Sequence, residues 1–194
     1  MDTGLEIYAA SGAISNPERA EKFGRDWQYG GDEAQVSIGQ LDTAVTPLQL
    51  ATQAMTLANQ GVRYETHIVK SIQSNNFDKT VSETEPKVAT KLENKNNAFP
   101  LVKQGMIGAA NDVPAIRALP YDVAIKTGTP QTTNTIFHSS TIAFAPADEP
   151  EISIGLYVEE GNNAKAMVAR ILKAYEETKK MEKEYPQASQ SLLS

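Results

Sequence analysis

The sequence predicts an α+β fold built as an antiparallel sheet with flanking helices. Two apolar runs of β character, Thr141–Ala145 and Ile152–Val158, lie on either side of a Pro146 to Pro150 turn and read as an antiparallel meander. Two stretches, at 47–60 and from Asn163 onward, repeat their apolar residues at helical spacing. A further run, Val123-Ala124-Ile125, leads straight into Lys126-Thr127-Gly128-Thr129. Branched and apolar side chains suit a covered sheet and a lysine does not, so this strand should start buried and surface into a cleft.

Composition narrows the function. The chain has 194 residues, 40% of them hydrophobic, enough for a real core in one large domain or part of one. A net charge of -6, with basic residues scattered, argues against nucleic acid, whose phosphates demand a basic face. A neutral or cationic small substrate fits better. There is no cysteine, which excludes disulfides and thiolate chemistry, and His67 and His138 are too few for a histidine-rich metal site. No run approaches the roughly 18 apolar residues that span a bilayer, and the start, Met1-Asp2-Thr3-Gly4, has no signal character, so the chain reads as soluble.

In chain order, residues 1 to 35 are polar and Gly/Ser-rich, punctuated by Trp27, Tyr29 and a Gly30-Gly31-Asp32 turn, and read mostly as loop. Thr46-Pro47-Leu48-Gln49 has the form of a capping box, with proline at the first helical position. Leu50, Ala54, Leu57 and Ala58 follow at helical spacing and Gly61 supplies a left-handed stop. Tyr64 to Gln73 has β character, and a turn at Asn75-Asn76 joins it to a strand near Val81 as a small hairpin.

Residues 82 to 97, charged and Asn-rich, read as a mobile surface segment. A second helical pattern then carries Leu101, Val102, Met106 and Ile107, and Pro114 and Pro120 break the chain before the central strand. Gln131 to Asn134 reads as polar loop. From a cap at Asn163, the residues Met167, Val168, Ile171, Leu172 and Tyr175 form a stripe that continues as a solvated Glu/Lys face to Tyr185. The domain reading is therefore 1–185, with 186–194 a frayed tail.

A lysine ammonium beside two threonine hydroxyls, on a strand whose glycine leaves the backbone open, makes an edge suited to an anion such as a carboxylate. An extended peptide could pair with that edge by strand addition. Taken alone, the same four residues also describe an ordinary surface turn. His138 stands at the entry of a strand with no identifiable acid or serine partner, so it reads as a packing or loop residue. Asp42 and Glu159-Glu160 read as surface acids, and Trp27 and Tyr64 as packing residues.

Several motifs in order nevertheless resemble one family. Lys126-Thr127-Gly128-Thr129 matches the K-T-G strand motif of the transpeptidase domain of penicillin-binding proteins, whose sites also use an S-x-x-K and an S-x-N motif. Trp27 with Gly31-Asp32, Ser37-Ile38-Gly39-Gln40, Val45 to Ala51, Leu57 to Gly61, His67-Ile68-Val69, Gly105-Met106, His138 and Phe144-Ala145-Pro146 accompany it. The resemblance covers residues 1 to about 175 and points to class B, elongation-type enzymes of Gram-positive bacteria. It implies the penicillin-binding-protein/serine β-lactamase-like fold, with the K-T-G strand at an edge of a five-stranded antiparallel sheet.

It further implies that Lys126 and Thr129 are catalytic, Lys126 through positive potential and Thr129 through an amide that stabilises the oxyanion. Lys126, Thr127, Gly128 and Thr129 would bind the terminal carboxylate of a D-alanyl-D-alanine stem peptide or a β-lactam. No cofactor and no metal is implied. No serine is followed three positions later by lysine, and the Ser-x-Asn at Ser74-Asn75-Asn76 reads as a turn. The expectation is a C-terminal part of the domain, without the nucleophile and without its anchor, whose parent acts at the extracytoplasmic face of the membrane. Its partners would be the missing N-terminal half and, if that loss exposes a sheet face, a second copy of itself. A non-catalytic module that binds stem peptide or a partner is the alternative; β-lactam hydrolysis or sensing fits the Thr46 region less well. Lastly, Pro130 has no N–H, so the ladder should end or bulge there.

Overall fold

Asn16-Pro17 opens the chain's first helix. In the computed structural model, which describes residues 4–130 and 136–184, the Asn16 side chain accepts the Arg19 amide at 2.8 Å and Pro17 takes the position where a missing N–H costs nothing. Helix α1 spans Pro17–Lys22 and α2 spans Gly31–Ser37, the latter entered through Gly30 at φ +84°, whose amide donates to the Glu33 carboxylate at 2.7 Å. The stretch expected to be mostly loop therefore holds two short helices. Each is set by a local cap and is too brief to show an apolar stripe.

The structure divides into two compact units, Met1–Leu101 and Val102–Ser194. In the first, α3 (Pro47–Ala58) follows its expected capping box: Thr46 Oγ1 accepts the Gln49 amide at 3.2 Å and Gln49 Oε1 accepts the Thr46 amide at 3.0 Å. Its fully buried positions are Thr52, Ala54 and Thr56, with Leu50, Leu57 and Ala58 half-buried. The two threonines are tolerated inside because their hydroxyls donate to carbonyls one turn back, at 2.8 Å each. Gly61 is needed at φ +95°, and a Cβ there would also meet the Phe99 ring at 2.6 Å.

Strand β1 (Val62–Tyr64) pairs antiparallel with β4 (Val88–Lys91), and β2 (Ser71–Gln73) with β3 (Thr80–Glu83). The β2–β3 hairpin agrees with the sequence expectation, but of the stretch Tyr64 to Gln73 expected to have β character only Tyr64 and Ser71–Gln73 lie in strands. The segment 82–97, read as mobile surface, instead contributes the end of β3, the whole of β4 and a 3-10 turn at Lys95–Asn97. Its charged composition hid these strands because they are exposed apart from the half-buried Ala89 and lack a buried face to impose alternation.

Helix α4 (Ala98–Ala110) begins in the first unit and ends in the second. Of its apolar pattern Met106 is buried, Ile107 half-buried, and Leu101 and Val102 exposed. Pro114, expected to break the chain, instead starts α5 (Pro114–Arg117) as its first residue. The second unit then lays down β5 (Ala124–Gly128), β6 (Ser139–Ala145) and β7 (Ile152–Val158) as one antiparallel sheet in the order β5-β6-β7, followed by α6 (Ala164–Glu184). The meander is thus borne out, and the described sheet has three strands where the resemblance implied five. Residues 131–134 of the expected polar loop and the tail 186–194 lie outside the described residues.

The core sits in this second unit. Val123, Ile125, Ala143 and Ile154 project from one sheet face against Val168, Ala169 and Leu172 of α6, with Ala110, Val113 and Ile116 completing the cluster. Asn163 caps α6 through its backbone carbonyl, which accepts the Ala166 and Met167 amides at 3.0 and 3.2 Å. Residues of opposite parity, Ala124 and Phe144, are also fully buried, so at β5 and β6 both faces are covered. The exposed sheet face behind the expectation of self-association is absent at these positions.

Candidate active-site wall

Strand β5 buries Ala124 and Ile125 and exposes Lys126 and Thr127, as its sequence predicts. What the four motif residues can do depends on which way their backbone points. The register pairs Ala124 with Phe144, Lys126 with Ile142 and Gly128 with Ser140 without a shift, and the His138 amide donates to the Pro130 carbonyl at 2.9 Å. Position 130 is therefore in register two residues beyond the end of β5. Its carbonyl faces β6, so by alternation Lys126 and Gly128 face β6 as well. The amides and carbonyls of Thr127 and Thr129 point to the opposite side, the outer edge of the sheet, where no strand pairs among the described residues.

That edge presents two donors and two acceptors spaced for an extended chain. The Lys126 ammonium reaches over it and donates to the Thr127 carbonyl. Gly128 is required by its own sheet: a Cβ on it would lie 2.5 Å from Ser140 Oγ, the side chain directly across the ladder. Strand β5 stops at Gly128, and at Pro130, where the ladder was expected to end or bulge, the register continues unshifted and the pair with His138 keeps the one bond that proline can accept.

Behind the edge, the side chains of Thr127 and Thr129 open on a concavity of about 870 Å³ that extends past His138 and Thr141 to Asn163 and Lys165. His138 forms part of its wall. Its Nδ1 accepts the Glu160 amide at 3.1 Å and its ring stacks on Tyr157 with centroids 5.4 Å apart, so it serves packing and a loop hydrogen bond. Among the described residues no cluster of His, Asp or Glu could hold a metal, and no helix is long and apolar enough to cross a membrane. Glu159 and Glu160 are exposed acids.

Sequence reasoning missed one polar cluster elsewhere. Arg25 is ion-paired with Asp32 and lies 3.5 Å from Asp42, while its guanidinium rests 5.8 Å from the Trp27 ring. Asp32, which is 7% exposed, also accepts the Gln28 amide at 3.2 Å. The hydrogen bond from Arg25 holds the Asp32 carboxyl below its ordinary value, and the pairing raises Arg25. Asp42 is thus half-buried and engaged, in contrast to the solvated acid expected. An aspartate in a Gly-Gly-Asp turn was the available signal, but the sequence does not show which arginine it meets.

The sequence model of the penicillin-binding protein transpeptidase domain matches residues 8–175. The chain belongs to that family. Penicillin-binding protein 2A of Bacillus subtilis is 33% identical over 139 residues, covering 63% of this chain and 19% of that protein. The peptidoglycan D,D-transpeptidase PbpA of Mycolicibacterium smegmatis is 35% identical over 135 residues, covering 66% of this chain and 26% of its own length. Penicillin-binding protein A of Mycobacterium tuberculosis, solved as a ceftriaxone acyl-enzyme complex, superposes with a TM-score of 0.68 over 90% of this chain and 40% of its own, at 26% identity. Penicillin-binding protein 2B of Streptococcus pneumoniae, at 20% identity, shares the fold with a TM-score of 0.73 over 91% of this chain and 30% of its own. The α+β transpeptidase fold is therefore established, and the chain spans about a fifth to a quarter of the length of these two sequence relatives.

Proposed function

We propose that this penicillin-binding-protein chain forms the wall of a serine-type D,D-transpeptidase site that holds the stem-peptide carboxylate and the oxyanion. The observation that carries the reading is the backbone parity of β5. With the Thr127 and Thr129 amides on the unpaired edge, a peptide laid antiparallel to it would meet the Thr129 N–H at its reacting carbonyl. Lys126 supplies the positive potential, and the Thr127 and Thr129 hydroxyls take the terminal carboxylate of the peptide or of a β-lactam.

Acyl transfer proceeds with a serine oxygen attacking the penultimate D-alanine carbonyl. The carbonyl electrons move onto oxygen, where the Thr129 amide stabilises them. The C–N bond then breaks as the carbonyl re-forms, D-alanine leaving with the proton given up by the serine on its amine. An amine of a second stem peptide attacks the acyl-serine to form the cross-link and return a proton to the serine. No Ser-x-x-Lys occurs in these 194 residues, so the nucleophile comes from another segment of the complete domain. The substrate is a wall polymer, which puts the reaction on the extracytoplasmic side of the membrane.

The test is the acylation rate of the complete protein by benzylpenicillin. Lys126→Ala should slow acylation by about 10²- to 10³-fold, the cost of losing one electrostatic contact to the transition state, and Thr129→Pro, which removes both the amide donor and a carboxylate-binding hydroxyl, should slow it by at least as much. Wild-type rates in both would overturn the assignment. The 194-residue chain alone should take up no label. The absence of the serine motif also fits a module that binds stem peptide without turnover; that reading predicts saturable peptide binding with no acylation in the complete protein.

A further inference from the structure

The concavity of about 870 Å³ behind β5 is larger than the carboxylate end of a peptide requires, and its far end differs in character from the Lys126 to Thr129 edge. There the loop that follows β7 meets the residues that lead into β6. Phe137 stands two residues before β6 and Glu160 two residues after β7, and the unshifted pairing that ends at Ser139 and Val158, carried outward, sets them opposite each other. The Glu160 amide is pinned to His138 Nδ1 at 3.1 Å, which fixes the start of the loop.

Glu160, Asn162, Asn163 and Lys165 line this end of the concavity. All four are exposed, and none makes a hydrogen bond or ion pair through its side chain among the described residues. The Phe137 ring, 48% exposed, lies on the same wall. The backbone here is already engaged: the Ala164 amide donates to Ser139 Oγ and the Ala166 and Met167 amides to the Asn163 carbonyl, so a ligand meets side chains. One carboxylate and one ammonium cancel, which disfavours a charged ligand. Two carboxamides offer donors and acceptors together, and an aromatic face suits a flat run of C–H groups.

From this geometry we propose that the far end of the concavity is a saccharide subsite. Phe137 stacks on the C–H face of a pyranose ring. Glu160 and Lys165 take ring hydroxyls, and Asn162 and Asn163 pair with the N–H and carbonyl of an acetamido group. The choice of an N-acetylated sugar rests on the transpeptidase reading, which makes the substrate a peptide carried on a wall glycan. The subsite itself uses none of Lys126 to Thr129.

Calorimetric titration of the full chain with N,N′-diacetylchitobiose tests it. Binding should be saturable, and the amide NMR signals of Phe137, Asn162 and Lys165 should move with the same midpoint. Phe137→Ala should weaken binding by about tenfold, while Phe137→Tyr, which keeps the ring, should stay within about twofold of wild type. Asn162→Ala, at an exposed position, should weaken it by about fivefold, as the loss of one neutral hydrogen bond does. Cellobiose, which has the rings without the acetamido groups, should bind about tenfold more weakly. No saturable binding in wild type, or equal affinity in wild type, Phe137→Ala and Asn162→Ala, would overturn the site; equal binding of cellobiose would overturn the choice of an N-acetylated sugar. Benzylpenicillin carries no sugar, so acylation of the complete protein reads the transpeptidase assignment separately. Sugar binding without acylation defeats that assignment alone, and acylation without sugar binding defeats the saccharide subsite alone.

Discussion

The His138 amide donates to the Pro130 carbonyl at 2.9 Å, and Pro130 has no N–H to return. This half-bonded pair fixes the direction of every amide in β5 and so decides that Thr127 and Thr129 face the outer edge of the sheet, unpaired among the described residues. In a Pro130→Ala variant the new amide faces the His138 carbonyl. It should be protected in hydrogen exchange like the amides of Lys126 and Gly128. Stability should change by less than about 1 kcal/mol, because a new ladder bond of about 0.5–1.5 kcal/mol offsets the added freedom of the unfolded chain. Exchange of the new amide at the rate of an open loop would contradict the register extension.

Gly128 and Ser140 form the next pair in the ladder. Gly128 is not among the glycines with positive φ, so its backbone accepts a side chain and the constraint is the Ser140 hydroxyl, which would lie 2.5 Å from a methyl group placed there. Gly128→Ala should therefore destabilise the protein by about 1–3 kcal/mol, as overpacking does. Ser140→Ala combined with it should recover most of that loss, with a coupling of about 1 kcal/mol in a double-variant cycle of chemical melts. Purely additive effects would show that the glycine answers to something other than Ser140.

Elements whose signal is local or strongly periodic were legible in the sequence. Thr46-Pro47-Leu48-Gln49 carries its own cap, Val168 and Leu172 declare the face of α6, and the apolar runs at β6 and β7 lie on either side of a proline turn. The short helices α1 and α2 and the exposed strand β4 escaped because none has a buried stripe. At the site, Lys126 to Thr129 could be picked out by residue type. The free edge could not, because it depends on pairing with a strand that begins at Ser139, across an intervening loop. Phe137 and Asn162 were invisible for a similar reason: only the fold brings the approach to β6 and the loop after β7 onto one wall.

The Arg25–Asp32 pair gives stability a pH dependence with a definite sign. Asp32 has its carboxyl held below the ordinary 3.8, first by the hydrogen bond from Arg25 and then by the Gln28 amide. A depressed carboxyl contributes stability that is fully present above its unfolded value and is lost as pH falls through its folded value. Wild type should therefore lose Tm as pH drops below 3.8, and Asp32→Asn, lower in Tm at neutral pH, should show a shallower acid limb. Parallel curves for the two proteins would remove Asp32 as the titrating group. Glu151, lowered by its hydrogen bond from Lys179, is the control: its glutamine variant should flatten the same limb while the Arg25 pairing stays intact.

The two units differ in what holds them. The core cluster lies wholly in Val102–Ser194, whereas the fully buried apolar residues of Met1–Leu101 are Ala20 and Ala54. At about 25 cal/mol per Å² the larger side chains of the second unit dominate the buried apolar area. Leu172→Ala, at a position with 0% exposure, should cost about 2–5 kcal/mol by removing buried methyl groups and leaving a cavity. Ile72→Ala, at a strand position 53% exposed, should change stability by less than about 0.5 kcal/mol. Hydrogen exchange should follow the same division, slowest in β5 to β7 and α6 and fastest in the β2–β3 hairpin, because local opening is easiest where little apolar area is buried. Equal protection in the two units would mean that the first is stabilised by something other than its own side-chain burial.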